Sequence, residues 1–223
     1  MARLLLVLCL LTTPTWGRVR CVSLVEAQDL KVSIGERTVT LPTGQPVGPW
    51  QNPAEVTRIT LQQAGRPLLS QRLGLPAQPM TLVFFGLPSA RSKTGVWDHF
   101  RARFEGQEYH SARGYGPQLR VLRDHVRTDK NHASLRVMHA VPTLVGLDLV
   151  EADRELIAGL EYAHCSEILD LEAGHHLFQL HPAGSTFELT PFAVDLEAGQ
   201  LTTVLLGGSP RSIHPVILTS KGS

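Results

Sequence analysis

Apolar and polar side chains alternate along most of this chain, and the pattern is clearest in its second half. Leucine or valine recurs at every second position over 135–137, 147–149 and 169–171. Because side chains alternate between the two faces of a strand, each run places its apolar residues on one face. Turn residues at 172–174 and 182–184 follow such runs. Short strands that are separated by turns predict an antiparallel β-sandwich.

The same series of patterns occurs twice, in the same order. The matched pairs are 19–22 with 135–138, 30–37 with 147–154, 59–65 with 169–174, 75–86 with 196–207, and 118–122 with 215–219. A repeated series of this kind indicates two copies of one unit. We therefore predict an all-β fold with two tandem Ig-like antiparallel β-sandwich domains at 18–127 and 132–223.

Periodicity and turn residues also give the expected strands of each copy. In the first copy they lie near 18–23, 29–34, 37–41, 55–62, 67–73, 79–86 and 118–123. In the second copy they lie near 134–139, 146–151, 154–158, 166–172, 175–181, 187–195, 200–207 and 215–219. The segment 42–53 contains four prolines and two glycines, so it is predicted to be a loop.

The first copy has an insertion at about 87–116 that the second copy lacks. Within it, polar and aromatic residues alternate over 99–104, a Glu-Gly turn follows, and a second extended run begins at 107. This pattern predicts an additional β-hairpin. A hairpin of this kind is marginally stable alone, so it is expected to lean on the first sandwich.

The first seventeen residues are predicted to be a cleaved signal peptide. A positive start is followed by an apolar run over 4–11 that is too short to span a bilayer, and small residues occur at 15 and 17. No later segment is long and apolar enough to be transmembrane. The mature chain is therefore expected to be exported, most plausibly to the periplasm, with an extracellular location as the alternative.

Charge and cysteine content narrow the function classes. The formal net charge of +1 argues against nucleic-acid binding, which usually requires a basic excess. Removal of the leader leaves Cys21 and Cys165, which is far from a disulfide framework. They lie in different copies and have inward strand parity, so we predict two free, buried thiols and no disulfide.

The sequence offers little catalytic chemistry. None of the ten histidines has a second ligand at a recognised metal spacing, so neither a metal nor another cofactor is predicted. The strained Gly-x-Ser-x-Gly turn is missing. Ser209 is the best candidate nucleophile, but its Gly-Gly-Ser-Pro setting is more simply a turn. Carboxylate pairs such as Glu151 with Asp153 and Asp170 with Glu172 are interpreted as solvent-facing, and we predict a protein that is not an enzyme.

The segment 91–127 is the best candidate binding surface. It contains eight basic and four acidic residues, an excess of +4, while the rest of the mature chain sums to −4. Aromatic residues are interleaved with the arginines, which suits an acidic polysaccharide or an acidic partner surface. The alternative is a hairpin whose aromatics pack inward. The predicted binding residues are Trp97, Arg101, Arg103, Tyr109 and Arg113.

The second copy resembles a known family. Its opening LRVMHAVP, its ILDLEAGHHLFQLHPAG run and its closing LEAGQLTTVLLGG are similar to secreted bacterial β-sandwich repeats that open with a strand of the VRVVHASPDAP type. The first copy departs from this pattern, because Ser23 stands at the position of His139 and Glu26 at that of Pro142. The family has no established activity, so the resemblance implies a fold and no catalytic residues.

The layout of two copies after a leader is also similar to the AlgF-type accessory proteins of alginate O-acetylation, although the hairpin insertion departs from them. This resemblance implies a non-catalytic accessory or scaffold role in modifying an extracellular polysaccharide. The partners would be exported or membrane proteins of a modification complex, or the polysaccharide. A secreted binding or adhesion module unrelated to polysaccharide is the alternative, and a cryptic hydrolase or acyltransferase comes third.

Overall fold

The computed structural model describes residues 18–51, 56–75, 78–88, 115–124 and 130–221. The predicted signal peptide and nearly all of the predicted insertion lie outside these ranges. The described residues form sixteen strands and no helix. Within the same ranges there is accordingly no helix with the length and hydrophobicity needed to cross a bilayer.

The first copy is a sandwich of two four-stranded sheets. Its strands are β1 (Arg18–Ser23), β2 (Leu30–Ile34), β3 (Arg37–Thr40), β4 (Pro46–Gln51), β5 (Val56–Gln63), β6 (Arg66–Gly74), β7 (Met80–Phe85) and β8 (Gln118–Arg123). Strands in the order β4-β1-β7-β8 form one sheet, which we call the inner sheet because it faces the second copy. Strands in the order β3-β2-β5-β6 form the other sheet, which we call the outer sheet.

The second copy has the same organisation. Its strands are β9 (Ala133–His139), β10 (Gly146–Glu151), β11 (Arg154–Glu161), β12 (Leu169–Leu171), β13 (Gly174–Pro182), β14 (Phe192–Leu196), β15 (Gln200–Ser209) and β16 (Ser212–Lys221). The inner sheet is β12-β9-β15-β16 and the outer sheet is β11-β10-β13-β14. Each strand of the first copy thus has a counterpart eight strands later, as an internal repeat predicts.

Each sandwich has its own hydrophobic core. Val32, Ile59 and Leu61 belong to the core of the first copy, and Leu135 with Leu149 to that of the second. The predicted fold class, two tandem sandwiches, is confirmed. The sheets are not purely antiparallel, however, because β1 pairs in parallel with β7, and β9 with β15.

The segment 42–53 was predicted to be a loop, and this is wrong, because it contains β4. The strand pairs with β1 only, at the end of the inner sheet. A proline lacks an N–H group, and an edge strand is where that loss is tolerated. The peptide bond between Gly48 and Pro49 is cis, and the pairing shifts register between Val19 and Cys21.

Strand pairing corrects three details of the repeat. The match of 59–65 with 169–174 is wrong, since β5 corresponds to β13 whereas β12 corresponds to β4. The match of 75–86 with 196–207 is displaced by one residue. Arg20 pairs with Thr81, and its counterpart Arg136 pairs with Thr203, so Thr81 corresponds to Thr203. The match of 118–122 with 215–219 is also displaced by one residue, because Leu122 pairs with Thr81 and Leu218 pairs with Thr203.

Candidate functional site

A third hydrophobic core joins the two inner sheets, and the sequence patterns did not reveal it. It consists of nine buried apolar residues drawn from both copies: Val22, Leu24, Val83, Phe85, Leu122, Met138, Ala140, Leu205 and Leu218. The central strands β7 and β9 of the inner sheets are therefore covered on both faces. All six residues of β7 and all seven of β9 are buried. This explains why β7 is a nearly continuous apolar run, and it means that the polar residues that alternate along β9, Ser134 and Arg136, are buried as well.

Two equivalent arginines cross this inter-copy core in opposite directions. Arg20 Nη1 donates to the Thr219 carbonyl oxygen on β16 at 3.1 Å. Arg136 Nη1 donates to the Arg123 carbonyl oxygen on β8 at 3.0 Å. Register places Thr219 and Arg123 at matching positions, so the contacts are reciprocal. This reciprocity is the signature of a two-fold interface, here within one chain.

The charge at this interface is not symmetric. Asp124 is buried, accepts from Thr81 Oγ1 at 2.8 Å and lies 3.3 Å from Arg20 Nε. Ser220 stands at the matching position in the second copy, and it accepts from Arg20 Nη2 at 2.9 Å. Arg136 Nη2 donates to Thr203 Oγ1, while its buried Nε has no hydrogen-bond partner among the described residues.

At one end of the inter-copy core lies a cleft that we call the junction cleft. Its volume is about 310 Å³, and both copies line it through equivalent strand ends. Gly86 follows β7 with φ +104°, and its counterpart Gly208 has φ +95°. A Cβ atom at either glycine would meet a backbone carbonyl oxygen, so these positions require glycine. The remaining lining residues are Leu24, Glu26, Leu87, Pro88, Pro142, Thr143, Ser209 and Pro210.

The first residues of the predicted insertion, Leu87 and Pro88, line the junction cleft. Leu87 N donates to the Tyr115 carbonyl oxygen at 2.6 Å and closes the base of the insertion. The Tyr115 ring packs edge-on against Tyr162 of the second copy at 4.8 Å, and Tyr162 also contacts Phe85 and His139. Burial raises the pKa of Tyr162. The insertion therefore leaves the body at a point held by both copies.

The five predicted binding residues, Trp97, Arg101, Arg103, Tyr109 and Arg113, all lie outside the described residues. Their proposed contacts remain predictions. What the structure adds is the place from which their segment departs, between Leu87 and Tyr115.

His139 has a structural role. It is fully buried; its Nδ1 accepts from Val141 N at 3.2 Å and its Nε2 lies 2.9 Å from the Leu144 carbonyl oxygen. A backbone N–H and a carbonyl can both be satisfied only by the neutral ring with hydrogen on Nε2. Burial lowers the pKa of His139 to about 4. At the matching position in the first copy, the Ser23 hydroxyl accepts from Val25 N, so the two residues fix the same turn.

The adjacent pair His175 and His176 point to opposite faces of β13, as predicted for a strand. His175 is exposed and contacts Asp195 at 2.7 Å, whereas His176 is largely buried and contacts Glu151 at 2.7 Å. Glu151 was predicted to face solvent, and this is wrong, because its side chain turns inward and is only 26% exposed. The described residues contain no group of three side chains suited to hold a metal ion.

Cys21 and Cys165 are both free thiols, and only the first lies where strand parity placed it. Cys21 belongs to the core of the first copy, where burial raises its pKa to about 12. Cys165 was also predicted to be buried, and this is wrong, because it is only partly buried and packs against the inter-copy core. Burial raises its pKa, while Arg136 and Arg120 oppose that shift.

Ser209, the candidate nucleophile, lines the junction cleft. It pairs with Ser212 at the end of the β15–β16 hairpin, in keeping with the turn interpretation.

A comparison with known families identifies part of this chain. Residues 133–223 match the family described as a domain of unknown function, DUF4397. The match covers the second sandwich and leaves the first outside it. No curated protein matches the chain.

Proposed function

We propose that the protein is an exported, non-catalytic accessory or scaffold protein that assists modification of an acidic extracellular polysaccharide through protein or glycan contacts. The observation that carries this proposal is the junction cleft, where equivalent loops of both sandwiches meet the base of the basic insertion. Loops held by a rigid sandwich are a common place for binding.

The inter-copy core supports a scaffold role. A surface assembled from two domains keeps its shape only if the domains hold a fixed relation. Nine buried apolar residues and two reciprocal arginine contacts provide that relation. Binding then requires little reordering of the cleft, which lowers the entropic cost of association.

Charge and resemblance supply the partner class. The excess of +4 over 91–127 favours an anionic partner, and arginine is suited to bind carboxylates in a bidentate manner. The tandem layout is similar to that of the AlgF-type accessory proteins of alginate O-acetylation. An alginate-type polymer, rich in carboxylates, is therefore the polysaccharide that we propose.

Titration with oligomannuronate at low and at high salt tests this proposal. Wild-type protein should bind at low salt and release the oligomer at high salt, because exposed charges are screened. The double variant Arg101→Ser/Arg103→Ser should lose binding, while its free energy of unfolding stays within about 1 kcal/mol of wild type.

Arg66→Ser/Arg72→Ser is the matched control, since it removes the same charge from exposed positions of β6 and should bind as wild type does. Equal loss in both double variants would point to nonspecific attraction and overturn the proposed site. No binding by wild type at low salt would overturn the glycan contact and favour a secreted binding module unrelated to polysaccharide.

A further inference from the structure

The second sandwich is open along one side. A groove of about 430 Å³ runs between β11 at the edge of the outer sheet and the segment 164–169 beside the inner sheet. Leu156, Ile157 and Leu169 line it and also pack against the core of the second copy. These three side chains form an apolar part of the groove that is continuous with that core, and the other lining residues include the polar Glu161, His164, Ser166 and Glu167. We call this groove the edge groove.

The first sandwich closes the equivalent opening with its own side chains. Trp50 on β4 packs against the core of the first copy. The Arg37 guanidinium on β3 lies over the Trp50 ring at 5.8 Å, a cation–π contact that spans the two edge strands. An aromatic ring with an adjacent arginine thus fills this gap.

Strand register shows which residue of the second copy corresponds to Trp50. Trp50 pairs with Val19, and Leu169 pairs with Leu135. Because Val19 and Leu135 are counterparts, Leu169 stands where the first copy has Trp50. The smaller side chain leaves space that the first copy fills, and Leu169 lines the edge groove.

The backbone and charge around the edge groove favour one kind of occupant. β11 has eight residues and, among the strands that the structure describes, pairs with β10 alone, whereas its counterpart β3 has four residues. Two register shifts interrupt the pairing of β11 with β10, so the outer edge of β11 offers main-chain hydrogen bonds to an additional strand in short stretches on either side of those shifts. Glu161 and Glu167 line the groove and are exposed. His164 also lines the groove, with its Nδ1 3.8 Å from Glu161 Oε2, and the two carboxylates outnumber this one histidine, so the groove favours a basic partner.

The geometry points to the edge groove as a docking site for an extended protein segment that alternates aromatic with basic side chains. The segment pairs with β11, places an aromatic ring over Leu169, and directs its basic groups to Glu161 and Glu167. This site lies in the second copy and is separate from the junction cleft, so it does not depend on the polysaccharide proposal.

Binding of a short capped peptide that alternates tryptophan with arginine tests this assignment on the full mature chain. Wild type should bind it, and a peptide with glutamate in place of arginine should bind at least about tenfold more weakly. Hydrogen exchange should show new protection of backbone amides in β11, which charge attraction alone would not produce.

Two variants locate the site. Glu161→Lys/Glu167→Lys should weaken peptide binding about tenfold, whereas Glu36→Lys/Glu188→Lys, an equal change at exposed positions, should leave it unaltered. Leu169→Trp, which copies the first sandwich, should also weaken binding by filling the edge groove. Unfolding curves would identify a variant that fails to fold. In that case hydrogen exchange of the wild type and the comparison of the two glutamate double variants test the docking site without it.

Three results would overturn the proposal. They are failure of wild type to bind the arginine peptide, protection confined to strands other than β11, and equal weakening by the Glu161/Glu167 and Glu36/Glu188 variants.

Discussion

The inter-copy core should make each sandwich depend on the other for stability, and Leu205 offers the sharpest test. This side chain lies on β15 of the second copy, is fully buried and belongs to the inter-copy core. Leu180 on β13 has the same size and is 1% exposed, but it belongs to the core of the second copy. Comparing Leu205→Ala with Leu180→Ala separates coupling between copies from the loss of a buried leucine.

The expected magnitude follows from the side chain that is removed. Leucine to alanine deletes three carbon atoms, and about 0.8 kcal/mol for each buried methylene gives about 2.4 kcal/mol. The cavity that remains raises the cost to about 3 kcal/mol. Both variants should therefore destabilise the second copy by a similar amount, and only their effect on the first copy should differ.

Native-state hydrogen exchange of first-copy amides, such as those of Val32 and Leu61, measures that effect. Amides of the first copy exchange when that copy unfolds locally, which breaks the inter-copy core and leaves the core of the second copy intact. Exchange proceeds through the unfolding event that has the lowest free-energy cost. Leu205→Ala should accelerate this exchange roughly a hundredfold, since every 1.4 kcal/mol is a factor of ten. Leu180→Ala should leave it nearly unchanged. If Leu205→Ala affects only second-copy amides, the copies are not coupled through this residue.

Three further predictions concern His139, the two cysteines and Gly86. Burial lowers the pKa of His139 to about 4, so as pH falls His139 is protonated in the unfolded chain before it is protonated in the folded chain. The free energy of unfolding, measured in urea, should therefore have its full His139 contribution above pH 6.5 and fall by about 3 kcal/mol towards pH 4. His139→Ser should remove this pH dependence. Cys21 and Cys165 should both be alkylated after denaturation without reductant, whereas a mass two hydrogens lower without dimer would indicate a disulfide. Gly86→Ala places a Cβ 2.2 Å from a backbone oxygen, while Gly65→Ala meets nothing within 4 Å, so thermal unfolding should show a large loss for the first and only about 1 kcal/mol for the second.

Much of the fold could be predicted from local pattern. Strands that alternate, such as β2 and β5, have one buried face, and their limits agree with prediction to within a residue or so. Pattern failed at β4, because its two prolines are typical of loops. The outer side of an edge strand has no neighbouring strand to bond, so prolines without an N–H group are tolerated there. Composition alone therefore cannot distinguish such a strand from a loop.

The inter-copy core was missed although the sequence contains a signal for it. The run Met80–Phe85 is apolar at five of its six positions, and it is buried throughout. A continuous apolar run indicates a strand covered on both faces, so it predicts a layer beyond the sandwich. Local pattern does not show which residues cover the second face, because the contacts join positions that are far apart in the sequence. Arg20, for example, donates a hydrogen bond to a residue 199 positions away.

The two copies share one arrangement of strands but have different candidate binding sites. Binding at these two sites can therefore be tested separately. Ser23 and His139 fix the same turn with different atoms, and the family match covers the second copy. The first copy fills its edge with Trp50 and has the basic insertion, whereas the second has Leu169 at that position and an acidic edge groove. Arg101→Ser/Arg103→Ser should therefore retain binding of the arginine peptide, and Glu161→Lys/Glu167→Lys should retain binding of oligomannuronate. Loss of both ligands in either variant would show that the two surfaces act as one site.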